Sequence, residues 1–266
     1  MAVLVIASKR DPAAQNIAQR LTQLHNFQET QTKDLLRTGE VFLKQVETDG
    51  IHTDALDLDF VPEAVIFASR HRSESNEPAM TTHWTGNTTG RADFGGKPKS
   101  LSPTDPRRLR AALLALDAAR ETMKLSYAVT LEATHHGPTE LEIPTLFIEI
   151  GSTEKEWNDP EAGAAASEAI WKAATDPANG KAAVGFGGGH YCNKQCNALR
   201  QDGYALSHIF SKYFFEDYDP AMVRMAFHRT LGECRTAIID WKGVRGSQRS
   251  VLLDDLKQMN VEIVRV

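Results

Sequence analysis

The sequence predicts an α/β fold with a mainly parallel sheet and helices on both faces. Three observations predict it. Short apolar runs rich in Val and Ile recur along the chain, bounded by Gly and Pro. Segments with helical periodicity lie between them. Several of those segments open on Asp-Pro, which suits an N-cap followed by a first-turn proline. Strand–helix alternation is the pattern of a sheet whose parallel strands are covered on both sides.

The first strand is "AVLVIAS" (2–8), and Asp11-Pro12 opens the helix after it. "AVIFAS" (64–69) is the next buried strand. Residues 70–104 are polar and Gly-rich, and a loop that long inside a compact domain is usually functional, so they predict a long active-site loop. Asp105-Pro106 starts a helix with Leu109, Ala112, Leu113, Leu116 and Ala119 on one face. "YAVTLEAT" (127–134) and "TLFIEIG" (145–151) are strands. Asp159-Pro160 starts a helix with Ala162, Ala166, Ala169, Ile170 and Ala173 on one face. "AAVGFG" (182–187), "TAIIDW" (236–241) and "VEIVRV" (261–266) complete the strands, with a last helix marked by Leu252, Leu253, Leu256 and Met259. No internal repeat interrupts the series, and residues 1–266 read as one α/β domain.

Composition excludes several classes. A chain that is 41% hydrophobic and 24% charged, with a net charge of −5, is neither disordered nor membrane-spanning. "MAVLVIASKR" is too short an apolar stretch for a signal peptide. The cysteines are Cys192, Cys196 and Cys234, an odd number that suggests no disulfide scaffold and fits a reducing, cytoplasmic setting. Cys192 and Cys196 make a weak zinc half-site; small core thiols are the better reading. Nothing implies a membrane or a stable protein partner.

In open α/β sheets, sites form at the carboxyl ends of strands. Polar tips follow four of the strands: "SRHRS", "THHGPTE", "GGGHY" and "DWKG". Gly187, Gly188 and Gly189 let successive backbone N–H groups gather into an oxyanion hole; the plain alternative is a tight turn. His190 and Tyr191 at its exit are candidate catalytic residues. His135 and His136, flanked by Glu132 and Glu140, are candidate bases or metal ligands, and His190 is a third candidate ligand. Adjacent histidines on an extended chain point to opposite sides unless the loop bends at Gly137-Pro138. Trp84 in "HWTGN" reads as a stacking face for a base, with an aromatic plug as the alternative. Arg70, Arg72, Lys97, Lys99 and Arg107 read as phosphate-contacting cations on the rim. His208 reads as a buried, hydrogen-bonded histidine. There is no HExxH, no paired CxxC and no G-x-S-x-G, so a serine hydrolase is disfavoured.

"VLVIAS", "SRHRS", "HWTGN", "LEATHHGP", "PTLFIEIGS", "VGFGGGHY" and "DWKG", in that order, resemble the D-aminoacyl-tRNA deacylases of the archaeal and plant type. The resemblance runs through most of the chain, although "SHIF" stands where a glycine is expected before the histidine. It implies hydrolysis of the ester between a D-amino acid and the terminal adenosine of tRNA. It also implies a phosphorylase/hydrolase-like α/β fold, similar to peptidyl-tRNA hydrolases, and zinc as cofactor, with no ligand set carried over. Two other classes remain: a nucleoside phosphorylase or nucleosidase, marked by phosphate-dependent activity, and a non-catalytic tRNA-binding protein, marked by binding without turnover.

Overall fold

A computed structural model describes residues 2–266. Its strands are β1 (Val3–Ser8), β2 (Gln28–Glu29), β3 (Leu35–Thr38), β4 (Val41–Val46), β5 (Ala64–Arg70), β6 (Ala79–Trp84), β7 (Gly86–Asn87), β8 (Ser100–Leu101), β9 (Ala128–Leu131), β10 (Thr145–Gly151), β11 (Lys181–Phe186), β12 (Tyr204–Phe210), β13 (Thr236–Ile239) and β14 (Glu262–Arg265). Its helices are α1 (Pro12–Leu24), α2 (Pro106–Met123), α3 (Glu154–Trp157), α4 (Pro160–Thr175), α5 (Asn193–Gln201), α6 (Pro220–His228) and α7 (Gly246–Gln258).

The parallel sheet is divided in two. The larger sheet runs β2-β3-β4-β1-β5-β10-β6-β9. Its centre, β4-β1-β5-β10, is parallel; β6 is antiparallel to β10 and parallel to β9. The second sheet, β12-β11-β13-β14, is parallel throughout. One apolar core joins them: Leu131 and Ile148 of the first sheet pack in the same cluster as Ala183, Leu206 and Ile238 of the second. Backbone bonds stitch the seam, from Thr134 N–H to Ile209 O (2.9 Å) and from Cys192 N–H to Leu131 O (2.9 Å).

The Asp-Pro starts are N-caps. Asp11 accepts from the N–H groups of Ala13 and Ala14, Asp105 from Arg107, and Asp159 from Glu161 and Ala162. Each such cap stabilises its helix by about 1 kcal/mol. The alanine face of α4 (Ala162, Ala165, Ala166, Ala169, Ala173) is fully buried, and its small side chains let neighbours approach closely.

Residues 70–104 are not the long loop the sequence predicts. They contain β6, buried along its whole length between β10 and β9. Its sequence, "AMTTHW", hides it because polar side chains are satisfied inside the sheet; Thr82 Oγ1 donates to Phe147 O at 2.8 Å. Trp84 is corrected with it. The ring is 2% exposed and its Nε1–H donates to Leu206 O at 3.0 Å, so it plugs the seam between the sheets and offers no face to a base.

Candidate active site

β5 and β10 lie side by side and parallel, and His71 follows β5 directly. Glu149 sits in β10, opposite Thr81 of β6, and His83 lies two residues further along β6. Glu132 follows β9, with its N–H on Thr82 O, and His135 and His136 come just after it. His190 arrives from the second sheet. Gly187 and Gly188 take φ values of +89° and +83°, which turn the chain back toward β9. There His190 O accepts the N–H of Ala133 at 2.8 Å.

Glu132 is the hub. Its Oε2 lies 2.6 Å from His190 Nε2 and 3.5 Å from His135 Nε2, and its Oε1 lies 3.0 Å from His71 Nδ1. Glu149 Oε2 lies 3.5 Å from His71 Nδ1 and 3.8 Å from His83 Nε2. The far nitrogen of His71 is 2.7 Å from the Tyr191 hydroxyl.

Burial works against a charged Glu132, but the imidazoles of His190 and His71 close beside it hold its carboxyl well below the usual range. Glu149 is pushed up by burial and by repulsion from Glu132, which outweigh the pull of His71. Burial opposes the charge on His71, yet Glu132 and Glu149 push its pKa up to about 11, so it is an imidazolium at neutral pH. His190 is likewise raised by Glu132 against the effect of burial. The other three rings go the opposite way. Burial and then neighbouring imidazoles push His135 and His136 down to about 3, and His83 well below its ordinary value.

Those three neutral rings share one arrangement. Each places Nδ1 on a backbone carbonyl: His83 on Trp84 O (3.1 Å), His135 on Ala133 O (2.8 Å) and His136 on Gly137 O (2.7 Å). A carbonyl only accepts, so Nδ1 carries the proton and Nε2 the lone pair. His83 Nε2 and both Glu132 oxygens are buried, and none makes a hydrogen bond of good geometry. Such buried, unpartnered lone pairs are what a metal ion satisfies, and the backbone bonds are of the kind that orient metal-ligating histidines. Three donor sets lie within 4.8 Å: His83, His135 and His136; Glu132, His135 and His190; His71, Glu132 and Glu149. Tetrahedral coordination by nitrogen and oxygen needs donors about 3.3 Å apart and imidazoles with a free lone pair, and the set of three neutral rings, His83, His135 and His136, meets the second requirement.

A cleft of about 450 Å³ opens over these groups, lined by His71, His135, His136, Glu149 and His190 with Arg70, Arg72 and Phe94 at its walls. That volume suits a small-molecule substituent. Residues 58–264 match the family model described as D-aminoacyl-tRNA deacylase.

The chain belongs to the D-aminoacyl-tRNA deacylase family. Among its relatives, the D-aminoacyl-tRNA deacylase of Methanosarcina mazei is 34% identical over 99% of this chain and 92% of its own. That of Thermococcus onnurineus is 35% identical over 98% and 99%. A solved crystal structure of a conserved protein of unknown function superposes with a TM-score of 0.90 at 33% identity, covering 99% of this chain and 95% of the other. Among the described residues, no helix is long and apolar enough to cross a membrane.

In this deacylase-family chain the sequence candidates separate into two groups. His135, His136 and His190 meet, with ring centroids 4.4 Å and 4.7 Å apart. The chain bends at His136, whose φ is +45°, so both adjacent histidines line the cleft. Tyr191 reaches the cluster through His71. Arg70 and Arg72 stand at the wall, over the Trp157 ring. Gly187, Gly188 and Gly189 do not line the cleft, and Gly187 N–H is already bonded to Phe210 O (2.7 Å). The oxyanion-hole expectation is corrected to a turn that delivers His190. Lys97 and Lys99 lie on the segment that follows Phe94, facing Glu140 (4.0 Å) and Asp219 (3.0 Å). Arg107 is not on the rim. It pairs with Asp105 beside Arg108, which binds Glu63 just ahead of β5, at the opposite edge of the sheet. Cys192 and Cys196 are buried core thiols, and Cys196 Sγ accepts the N–H of Leu131.

His71, His83 and Glu149 escaped assignment from the sequence. The missed signal was the ionisable side chain inside a strand buried on both faces, as Glu149 is within "TLFIEIG".

Proposed function

We propose that this cleft hydrolyses the ester joining a D-amino acid to the terminal adenosine of tRNA, releasing the free amino acid and the tRNA. The carrying observation is the set of neutral imidazoles of His83, His135 and His136, Nε2 lone pairs available, beside a carboxylate hub that keeps His71 charged and raises the pKa of His190. We assign zinc to the histidine set, with Glu132 next to it; when bound, it supplies Lewis acidity and makes water a nucleophile at neutral pH.

The protein's own groups divide the proton work. Glu149, pushed up by burial, lines the cleft and takes a proton from the attacking water. As the carbon–oxygen bond to the ribose breaks, His190, whose pKa Glu132 raises, donates a proton to the leaving oxygen. The imidazolium of His71 stabilises the negative charge on the carbonyl oxygen between those steps. Arg70 and Arg72 hold phosphates of the tRNA end, and Phe94, 67% exposed at the mouth, stacks on the terminal base. We further propose that it acts in the cytoplasm, where aminoacyl-tRNA is used.

The test is release of amino acid from D- and L-aminoacyl-tRNA, with and without a chelator, followed by zinc add-back. The reading expects hydrolysis of the D-form, loss with chelator and recovery with zinc. Equal hydrolysis of both enantiomers, or none of either, sinks it.

A further inference from the structure

The substrate carries a long polyanionic body, and the cations predicted from sequence to receive it are poorly placed. Lys99 and Arg107 spend their charge on Asp219 and Asp105, and Lys97 faces Glu140. A different edge of the molecule is available. The strands of the second sheet are all parallel, so their carboxyl ends share one side. β11 ends there in the turn that delivers His190. β12 ends there at Phe210, and two residues on the N–H of Lys212 donates to Gly188 O at 2.8 Å. β13 ends there in "DWKG", and its Gly243 packs so closely that an added Cβ would lie 2.5 Å from Gly188 N.

Lys212, Lys242 and Arg245 on these loops are exposed, and none forms an ion pair among the described residues. The one carboxylate in this turn, Asp240, accepts the N–H of Gly243 at 3.0 Å through Oδ1 and forms an ion pair with none of the three cations. Behind them the guanidinium groups of Arg249 and Arg265 lie 4.2 Å and 3.9 Å from the Trp241 ring centroid. Stacking fixes two more positive charges without neutralising them. The result is a cationic strip that continues from the His190 turn.

We propose that this edge, with Lys212, Lys242 and Arg245 as its outer cations, docks the duplex acceptor stem of the tRNA whose 3′ end occupies the cleft. The proposal rests on the function assigned above. Duplex RNA is held through its phosphates, and a strip contiguous with the catalytic turn lies where a stem must run once its end enters the cleft.

Binding of uncharged tRNA as a function of salt tests it, together with hydrolysis of D-aminoacyl-tRNA and of D-aminoacyl-adenosine, which has no phosphate. The variants are Lys212→Glu/Lys242→Glu/Arg245→Glu, the same three positions changed to Gln, and Lys97→Glu/Lys99→Glu. Each lost phosphate contact lowers the salt slope by about one. Both triple variants should therefore lose about three from the slope, and tRNA affinity should fall at least roughly tenfold. Hydrolysis of D-aminoacyl-adenosine should stay at the wild-type rate, which also reports intact folding. The Gln variant carries the test if the Glu variant does not fold. Wild-type affinity and slope in the Gln variant overturn the proposal, as does an equal or larger loss in Lys97→Glu/Lys99→Glu. Failure of the functional reading looks different: the wild-type enzyme then hydrolyses neither substrate.

Discussion

Replacing Glu132 with glutamine removes one charge and keeps the shape of the side chain. The carboxylate lies 2.6 Å from His190 Nε2, 3.0 Å from His71 Nδ1 and 3.5 Å from His135 Nε2. In Glu132→Gln, the His71 imidazolium keeps only Glu149, at 3.5 Å. Taking one partner from a buried ion pair costs about 3–5 kcal/mol. At about 2–4 °C per kcal/mol for a chain near this size, Tm should fall by about 10 °C. The pH dependence has a definite sign. His71 is raised from 6.5 to about 11, so its contribution is fully present below pH 6.5 and is lost as pH rises through about 11. Glu132 is depressed below its ordinary 4.5, so its contribution is present above pH 4.5 and is lost as pH falls through the folded-state pKa. The gap between wild type and variant should therefore be widest from pH 4.5 to 6.5 and close toward pH 11. Urea unfolding across that range measures it, and turnover per folded molecule should drop by roughly 10²-fold or more. Equal stability of the two proteins at pH 5.5 would refute the hub.

Trp84→Phe should lose about 1–3 kcal/mol by leaving Leu206 O unpaired, with the KM for tRNA unchanged; a raised KM at wild-type stability would restore the stacking role. His208 is pushed down to about 4 by burial, so the fold holds it neutral: its contribution is present above pH 6.5 and erodes as pH falls from 6.5 to 4. His208→Gln should remove about one proton from the stability–pH slope in that window, and an unchanged slope in urea titrations would contradict the assignment. Phe94→Ala should raise the KM for D-aminoacyl-tRNA roughly tenfold, as expected for one lost base stack, and leave kcat and Tm unaltered; steady-state kinetics that instead show a kcat defect rule out a stacking role.

The strands with continuous apolar runs and the Asp-Pro helix starts were legible, because burial and capping write themselves into local sequence. β6 was not: Thr81, Thr82 and His83 are polar, and only the finished sheet supplies their partners. The same limit shaped the site. His135, His136 and His190 stood out beside glycines and proline, where backbone shape leaves a mark. In the sequence His71 is only one residue of the polar tip "SRHRS" and Glu149 only one of an apolar strand, since each gains its meaning from Glu132, distant in sequence. Lys97, Lys99 and Arg107 read as free cations because charge counts do not show that Glu140, Asp219 and Asp105 sit opposite them.

The central claim is ester hydrolysis at the histidine cluster. Single-turnover hydrolysis of D-aminoacyl-tRNA by His135→Ala, set beside the wild type at matched folded concentration, tests it most directly. His135 lies within reach of both Glu132 and the rings of His83, His136 and His190. The account predicts a rate at least roughly 10²-fold lower with tRNA affinity within about twofold of wild type. A near-wild-type rate would contradict it.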